Sequence, residues 1–406
     1  MIPVAEAVSR IVGALQPLPA ETVGLEAGYG RVLAADVVAR RTQPPFAVSA
    51  MDGYAVRGAD VGDVPADLRL IGSVPAGQKF EGSVSPGEAV RIFTGARMPD
   101  GADTVVIQEN TTADADGASV TINEAAETGN YVRPAGLDFT EGEVGLVAGT
   151  RLGARRLALA AAMNVPWIEV RRRPRVAILS TGDEIVMPGE PVGENQIVSS
   201  NGIALAAAIR GFGGEPVHIG IAGDNRESLL AMVAAARGTD LLVTTGGASV
   251  GEHDLIREVL GEAGLDLDFW RIAMRPGKPL MFGTLGETPV LGLPGNPVSA
   301  LICAQIFLRP AIGRMLGLNG LDPAPATARL AVPMNANDER QDYVRALLSR
   351  EEDGTPIAEP FTRQDSSMGS LLAGASCLIV RPPHAPAAAA GDWVDIVPLD
   401  TDAPTI

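Results

Sequence analysis

The stretch that decides the fold begins with Arg171-Arg172-Arg173-Pro174-Arg175 and continues as Val176-Ala177-Ile178-Leu179, then Ser180-Thr181-Gly182-Asp183-Glu184. Four consecutive apolar residues that end in a polar, glycine-containing turn are typical of a buried strand. The arginine cluster in front of them marks a domain boundary. Its simplest interpretation is a solvated linker, although part of it could guide anionic substrates toward an otherwise acidic protein.

After this strand, strand-like and helix-like runs alternate along the chain. Strict alternation predicts βαβ units, and therefore a doubly wound, mostly parallel sheet with helices on both faces. Apolar stripes at helical spacing, such as Leu229, Leu230 and Val233, support the helices. A further long helix is predicted from Val298 to about Met315. The alternating runs cover residues 176–179, 200–210, 217–221, 226–237, 241–245 and 254–263.

Before and after this region in the sequence, short apolar runs broken by Gly, Pro and Asp predict further strands and turns. The sequence predicts an α/β multidomain fold, whose central domain has three layers. We expect an N-terminal region at 1–172, with helical and linker parts at 1–43 and 141–172 around an inserted β-rich subdomain at about 44–140. The central α/β domain spans 173–320, and a small C-terminal β-barrel-like domain spans 326–406.

Composition excludes several classes of protein. The 406 residues include 32 Lys or Arg and 49 Asp or Glu, so the formal net charge is 32 − 49 = −17, unlike that of a general nucleic-acid binder. Two cysteines exclude a disulfide framework, and three histidines argue against a histidine-ligated transition metal and a serine triad. We see neither a signal peptide nor an apolar stretch of membrane-spanning length, so a soluble, cytoplasmic protein is expected.

Polar, glycine-rich residues follow three of the predicted strands, where ligands bind in open parallel sheets. These strand ends carry Glu184, Asp224 and Asp254. Gly246 and Gly247 would let backbone N–H groups turn toward an anion. Carboxylates next to such an anion-binding loop would repel the anion. We therefore expect a hard cation such as Mg²⁺ between the carboxylates and a bound phosphate. Each residue alone is more simply a helix cap or a turn former.

Two rigid turns and two N-terminal stretches are further candidates. The turns at residues 275–279 and 293–297 could present Arg275, Lys278 and a helix N-terminus to an anion, or could be ordinary tight turns. Asp52 lies in a turn before a strand, where Asp52-Gly53 could also be a hairpin turn. Spacing does not decide the role of the carboxylate at Asp138.

Six groups of motifs span essentially the whole chain: Ser49-Ala50-Met51-Asp52-Gly53-Tyr54-Ala55-Val56, Phe93-Thr94-Gly95-Ala96 with Gly101-Ala102-Asp103, Ser180-Thr181-Gly182-Asp183-Glu184, Gly246-Gly247-Ala248-Ser249-Val250-Gly251 with Asp254, Pro276-Gly277-Lys278-Pro279, and Leu293-Pro294-Gly295-Asn296-Pro297. Taken together, these motifs resemble the molybdopterin molybdenumtransferase family, the MoeA-type enzymes to which the E domain of gephyrin also belongs. They occur in the family's order.

The resemblance implies an enzyme that cleaves adenylylated molybdopterin with the help of Mg²⁺ or a similar divalent cation. It would insert molybdate into the dithiolene and release AMP. It also implies a homodimer whose active site joins the sheet domain of one subunit to the inserted domain of the other. Transient contacts with the molybdopterin adenylyltransferase and with recipient molybdoenzymes are expected, and contacts with nucleic acid or membrane are not.

The resemblance also assigns roles by position. The implied catalytic residues are Asp52, Thr94 and Asp138 in the N-terminal region, and Glu184, Asp224 and Asp254, which also hold the metal, in the sheet domain. The implied substrate-binding residues are Gly246, Gly247, Ser249, Arg275, Lys278, Pro294, Pro297, Ser366 and Ser370.

Two departures from the family pattern bear on the site. Arg275 replaces the usual Lys, which keeps the charge but exchanges a compact ammonium for a forked guanidinium. Ala47 stands where a carboxylate or amide is frequent. Two alternatives remain: a molybdopterin adenylyltransferase, which would lack the N-terminal 170 residues, and a gephyrin-like scaffold, which would not need clustered carboxylates.

Overall fold

A computed structural model describes residues 1–246, 255–319 and 326–399. The chain divides into two compact units. Unit 1 comprises Met1–Ala35, Ala148–Ala154 and Glu169–Ile406, and unit 2 comprises Asp36–Val147 and Arg155–Ile168. The predicted Asp254, Gly247 and Ser249 lie outside the described residues.

Unit 1 is built on a six-stranded sheet. In chain order its strands are β1 (Arg175–Thr181), β2 (Glu215–Ala222), β3 (Leu241–Thr245), β4 (Leu265–Trp270), β5 (Met281–Leu285) and β6 (Thr288–Leu293). The spatial order is β2-β1-β3-β6-β5-β4. β1, β2, β3 and β6 run parallel, whereas β4 and β5 are antiparallel to their neighbours. The chain turns to opposite sides of β1 for β2 and β3, which makes the β1–β3 crevice a topological switch point.

Helices cover both faces of this sheet. They are α1 (Asn201–Phe212), α2 (Arg226–Ala235), α3 (Leu255–Glu262) and α4 (Pro297–Met315), of which Ala304–Leu308 is a π-helical turn. Alternate residues of β1 point to opposite faces, as the period of a strand requires. Val176 and Ile178 share one apolar core with α1 and α4, while Ala177 and Leu179 share another with α2 and α3.

A second six-stranded sheet in unit 1 closes on itself. Gln341–Arg350 pairs with Pro356–Pro360 on one side and with Cys377–Arg381 on the other, which closes five of the six strands into a ring. Met274–Arg275, from the loop after β4, pairs in parallel with the start of Gln341–Arg350. This pairing ties the Arg275 turn to the C-terminal sheet. The remaining strands of the sheet are Ala326–Leu330 and Trp393–Pro398.

Unit 2 is β-rich, and its main sheet has six strands. Gly53–Val56 lies between Thr104–Ile107 and Glu88–Ile92, and the sheet continues through Ala66–Val74 and Ser119–Ile122 to Thr111–Ala113. Two small pairings, Val48–Ser49 with Val132–Arg133 and Val37–Val38 with Val144–Leu146, accompany it.

The other elements are short. In chain order they are the helix Val4–Ala14, the strand Ala20–Gly24, the 3-10 turns Leu25–Ala27, Gly58–Asp60 and Gln108–Asn110, the helix Ala154–Ala162, the strand Trp167–Arg171, the paired strands Ile185–Val186 and Ile197–Val198, and the helix Gly369–Ala373.

The predicted fold class, an α/β multidomain fold with a mostly parallel central sheet, is confirmed. Two expectations need correction. Arg172 is not free in solvent: its guanidinium donates to both carboxylate oxygens of Asp240, at 2.9 and 2.7 Å, and so pins the cluster to the start of β3. Helix α4 does reach the length and hydropathy of a membrane span, with 19 residues and a mean hydropathy of 1.3, yet 67% of it is buried within the protein.

Candidate functional site

A cleft of about 790 Å³ opens at the carboxyl ends of β1, β3 and β6 in unit 1. Its position at the switch point is where open α/β sheets bind ligands, and its volume suits a substrate of several rings. Seven of the predicted residues line it: Glu184, Gly246, Arg275, Lys278, Pro294, Pro297 and Ser366. The structure therefore brings these seven residues to one cleft.

Two helices begin at this cleft. Asn201 at the start of α1 and Pro297 at the start of α4 both line it. The first turn of a helix leaves backbone N–H groups without intrahelical partners and carries the positive end of the helix dipole. Both helix starts therefore favour an anion in the cleft.

Glycine is required at Gly246, where β3 ends. Its φ of +96° lies in the left-handed region that favours glycine, and a Cβ there would stand 2.4 Å from the carbonyl oxygen of Thr181. The close approach lets the chain turn beside β1. The backbone, and not a side chain, therefore forms this part of the wall.

The charges in the cleft oppose that of the whole chain. Arg275, Lys278 and Arg340 line it with one carboxylate, Glu184, although the net charge is −17. Asp338 and Asp342 beside the cleft offset part of the charge of Arg275 and Arg340, and the remaining positive charge, with Lys278, suits the cleft to anionic ligands.

Arg275 is held by its neighbours. One guanidinium nitrogen lies 3.2 Å from the Asp338 carboxylate, and another donates to Asp342 and, at 3.3 Å, to the amide oxygen of Asn337. Arg340 donates to Asp338 at 2.7 Å, and with Arg275 it lowers the Asp338 pKa to about 2. A lysine at position 275 has no fork with which to span these groups, so the departure from the family pattern has a structural use here.

The predicted acidic set is only partly assembled by the described residues. Glu184 lines the cleft, and its carboxylate lies against the position that a Cβ of Gly182 would take. The Asp224 N–H donates to Asp183 Oδ1 at 2.9 Å, and the Asp183 N–H lies 3.4 Å from Asp224 Oδ2. This reciprocal pair links the loops after β1 and β2. Within the described ranges no group of three or more His, Cys, Asp or Glu side chains could hold a metal ion.

The serine-bearing loop is fixed to the start of α4. Ser366 Oγ accepts a hydrogen bond from the Asn296 side chain at 2.9 Å, and its carbonyl accepts one from the Val298 N–H at 3.2 Å. Ser367, which the sequence analysis did not assign, also lines the cleft, whereas Ser370 starts a short helix and is not among the lining residues.

The sequence analysis did not identify Arg345, a buried side chain that hydrogen-bonds to this loop. Its side chain is 1% exposed and donates to the carbonyl oxygens of Met368 at 3.2 Å and Asp365 at 3.0 Å, and to Gln364 Oε1 at 3.3 Å. Burial lowers the Arg345 pKa. No local signal marks this burial, because Arg345 shares a strand face with Tyr343, opposite to the face that Val344 and Ala346 turn to the core of the closed sheet.

In unit 2, the structure brings together two of the three predicted residues. One oxygen of Asp52 accepts hydrogen bonds from both the N–H and the hydroxyl of Thr94, each at 2.7 Å. These bonds, the backbone one first, lower the Asp52 pKa. Gly53 begins a strand that pairs elsewhere, so Asp52-Gly53 is not a hairpin turn. Asp138 is exposed, and its N–H donates to the Gln43 carbonyl at 3.0 Å.

Comparisons with known proteins agree with this architecture. Three family models match: the MoeA N-terminal region (domain I and II) at 2–164, a probable molybdopterin binding domain at 177–314, and the MoeA C-terminal region (domain IV) at 327–399. The molybdopterin molybdenumtransferase of a Nostoc species is 39% identical over 81% of this chain and 77% of its own. The enzyme of that name from Haemophilus influenzae is 34% identical over 95% of both chains.

A crystal structure of a molybdopterin biosynthesis MoeA protein from Pyrococcus horikoshii superposes with a TM-score of 0.81 at 32% identity, covering 98% of this chain and 99% of that one. Sequence and structure therefore agree over nearly the whole length. The chain is a transferase with a role in molybdenum cofactor biosynthesis, and it belongs to the MoeA family of molybdopterin molybdenumtransferases.

Proposed function

We propose that this enzyme takes adenylylated molybdopterin, cleaves the adenylate with a divalent cation, and inserts molybdate into the dithiolene with release of AMP. The observation that carries the proposal is the cleft at the switch point, where cations and two helix starts converge in a strongly acidic protein. Both substrates are anions, so both match this field. The sulfur ligands for molybdenum come from the pterin, so the two buried cysteines are not needed as ligands.

The side of the cleft that carries Lys278 and Arg275 binds the anions. Lys278 contacts molybdate or an anionic group of the pterin, and Arg275, fixed by Asp338 and Asp342, adds a second, rigidly oriented positive charge. The start of α1 provides backbone donors for the same charge, and the start of α4 adds the positive end of its dipole. Pro294 and Pro297 shape the wall between them.

The acidic side suits Mg²⁺, which prefers carboxylate oxygens and phosphate. Glu184, Asp224 and Asp254 would hold it, and the bound ion would offset charge on the adenylate phosphate. Glu184 and Asp224 have this donor chemistry, and the Asp183–Asp224 pair fixes the loop that bears the second of them. Gly246, Gly247 and Ser249 would hold the phosphate itself.

The test of the proposed reaction is AMP release by purified protein from adenylylated molybdopterin, with Mg²⁺ and either molybdate or tungstate. Asp254→Ala is expected to fold normally and to lose Mg²⁺-dependent AMP release. Asp395→Ala, an exposed carboxylate on the C-terminal sheet, is the matched control and should behave as wild type. AMP release by Asp254→Ala at the wild-type rate would contradict the proposal.

The protein acts as a cytoplasmic homodimer, in which a second copy contributes Asp52, Thr94 and Asp138 to the cleft. Light scattering should give twice the chain mass of 41.9 kDa. Mixing Lys278→Met with Asp52→Asn, each inactive alone, should restore about a quarter of wild-type activity, because half of the dimers are mixed and each has one intact site. A mass of one chain, or no recovery on mixing, would refute the shared site. Contacts with the adenylyltransferase and with recipient molybdoenzymes would be transient.

A further inference from the structure

Three neighbouring strands in the main sheet of unit 2 meet at one edge. Gly53–Val56 runs antiparallel to both of its neighbours, Glu88–Ile92 and Thr104–Ile107. The start of the first strand therefore lies beside the ends of the other two. Asp52 comes directly before the first strand, and Gln108 comes directly after Thr104–Ile107. The fold thus brings Gln108, which the sequence analysis did not assign, next to a residue with an implied catalytic role.

Glycine at position 53 allows this close approach. A Cβ on Gly53 would stand 2.0 Å from the carbonyl oxygen of Val106, so a side chain does not fit there. Beside this contact, the Gln108 N–H donates to the Asp52 carbonyl at 3.2 Å. The backbone of Asp52 is therefore attached to the neighbouring strand.

Arg91, on the strand at the other side, holds the next peptide group. One guanidinium nitrogen donates to the Gly53 carbonyl at 3.1 Å, and another donates to Gln108 Oε1 at 2.6 Å. The planar fork of the guanidinium reaches both acceptors at once, whereas a lysine ammonium has no such fork. The carbonyls of Asp52 and Gly53 are thus both bonded, and Arg91 connects the two attachments.

Two aromatic rings hold the guanidinium in this orientation. Arg91 Cζ lies 5.0 Å from the ring centroid of Tyr54 and 5.1 Å from that of Phe93. Tyr54 is directly opposite Arg91 in the strand register, and Phe93, two residues further along, lies on the same face. A cation at these distances is attracted to both rings. Two hydrogen bonds and two rings therefore fix one side chain, more than a cross-strand pair needs to stabilise a sheet.

The result is a fixed backbone that carries a partly free carboxylate. Both hydrogen bonds from Thr94 go to Asp52 Oδ1, and within the described ranges Oδ2 accepts none. Asp52 is exposed, so Oδ2 is open to a ligand. The two Thr94 bonds, the backbone one first, and then the charge of Arg91 lower the Asp52 pKa. The main chain therefore sets the direction in which a charged oxygen points.

We infer that Arg91 and Gln108 are positioning residues, which fix the backbone of Asp52 so that its free carboxylate oxygen keeps one direction. This inference rests on the proposed function, in which Asp52 takes part in AMP release. Arg91 acts through the main chain of Asp52 and Gly53 and not by contact with the substrate. Its shape therefore matters more than its charge.

The experiment compares Arg91→Met, Arg91→Lys and Gln108→Leu in the full-length protein. In AMP release, kcat should fall about tenfold or more with KM nearly unchanged, because a misdirected group weakens the chemical step and not substrate binding. Arg91→Lys should lose nearly as much as Arg91→Met, since it keeps the charge but not the fork. The double variant Arg91→Met/Gln108→Leu should be no slower than Arg91→Met, because both changes remove the same attachment.

Amide hydrogen exchange provides a measurement that does not depend on activity. The N–H groups of Thr94 and Gln108, which both donate to Asp52, should exchange about tenfold faster in Arg91→Met and Arg91→Lys than in wild type. Arg69→Met is the matched control on the adjoining strand. The Arg69 side chain is 70% exposed and forms an ion pair with Glu88, so this variant should match wild type in both measurements.

Full activity of Arg91→Lys would show that charge alone suffices and would overturn the inference. Unchanged exchange of the two amides in Arg91→Met, or an equal loss of activity in Arg69→Met, would also overturn it. Absence of AMP release by wild type would refute the proposed function and with it the catalytic use of this arrangement. The exchange rates would then still decide separately whether Arg91 fixes the backbone of Asp52.

Discussion

The cleft of unit 1 and the Asp52 turn of unit 2 hold their functional groups in different ways. In the cleft, buried side chains bind the main chain: Asn201 binds the Gly295 carbonyl, and Arg345 binds the carbonyls of the serine loop. In unit 2, the exposed carboxylate of Asp52 is held by one residue, Thr94. Substitutions of these buried hydrogen-bonding side chains should therefore cost stability together with activity, whereas substitutions at the turn should affect mainly activity.

The basis of this difference is desolvation. A buried donor or acceptor that loses its partner remains desolvated without a hydrogen bond, which costs free energy. An exposed donor or acceptor that loses its partner can bind water instead. Arg345 is 1% exposed, and Asp52 is exposed. The same kind of hydrogen bond consequently has a different value in the two regions, and the comparison can be tested from both sides.

The largest effect is expected at Arg345. Arg345→Met keeps an apolar stem but removes the guanidinium that donates to the carbonyls of Met368 and Asp365 and to Gln364 Oε1, although backbone N–H groups still donate to the last two. We expect the free energy of unfolding to fall by about 2–4 kcal/mol, because three hydrogen bonds from a buried, charged donor are lost. AMP release should fall with it, because the loop that carries Ser366 loses its support. Denaturant titration and the AMP assay measure the two effects.

Arg350→Met is the matched control on the same strand. Arg350 is exposed, and its guanidinium donates to the Gly354 carbonyl at 2.8 Å. The free energy of unfolding should change by less than about 0.5 kcal/mol, as for most surface substitutions. If Arg345→Met and Arg350→Met were equally stable, burial would not distinguish the two arginines and the comparison would fail.

Much of the fold could be predicted because its signals are local. The apolar run at Val176–Leu179 indicates a buried strand, and the helical spacing of Leu229 and Val233 indicates a buried helix face. The order of strands and helices along the chain then implies a parallel sheet. The antiparallel direction of β4 and β5 was not predicted, because the direction of a strand depends on the strand with which it pairs and not on its own sequence.

The strand ends gave the strongest local signal for the site, whereas the turns at residues 275–279 and 293–297 were equally compatible with ordinary tight turns. Glu184 and Gly246 follow β1 and β3 directly, so the parallel sheet brings them to one edge. Asn201 lies in the first turn of a helix, where the sequence pattern favours a helix cap. An arginine such as Arg345 is expected at the surface, because arginine is rarely fully buried. The pairing of Met274–Arg275 with residues 341–342, which fixes the Arg275 turn, has no local signal at all.

The smallest change in stability is expected at the Asp52 turn, where ionisation is the sharper measurement. The backbone N–H of Thr94, and then its hydroxyl, lower the Asp52 pKa, so this carboxyl is ionised throughout the neutral range. A lowered folded-state pKa contributes stability above the unfolded value of about 3.9, and this is lost as pH falls through the folded value. Thr94→Val should raise the midpoint of the Asp52 carboxyl in an NMR titration but leave it below that value, because the N–H remains. Thr94→Ser should match wild type, whereas Thr94→Val should lower the melting temperature at pH 7 only slightly, because Asp52 is exposed and keeps the bond from the N–H. A Thr94→Val midpoint equal to that of wild type would mean that the hydroxyl does not hold the carboxylate, and the simple two-bond description of the turn would be wrong.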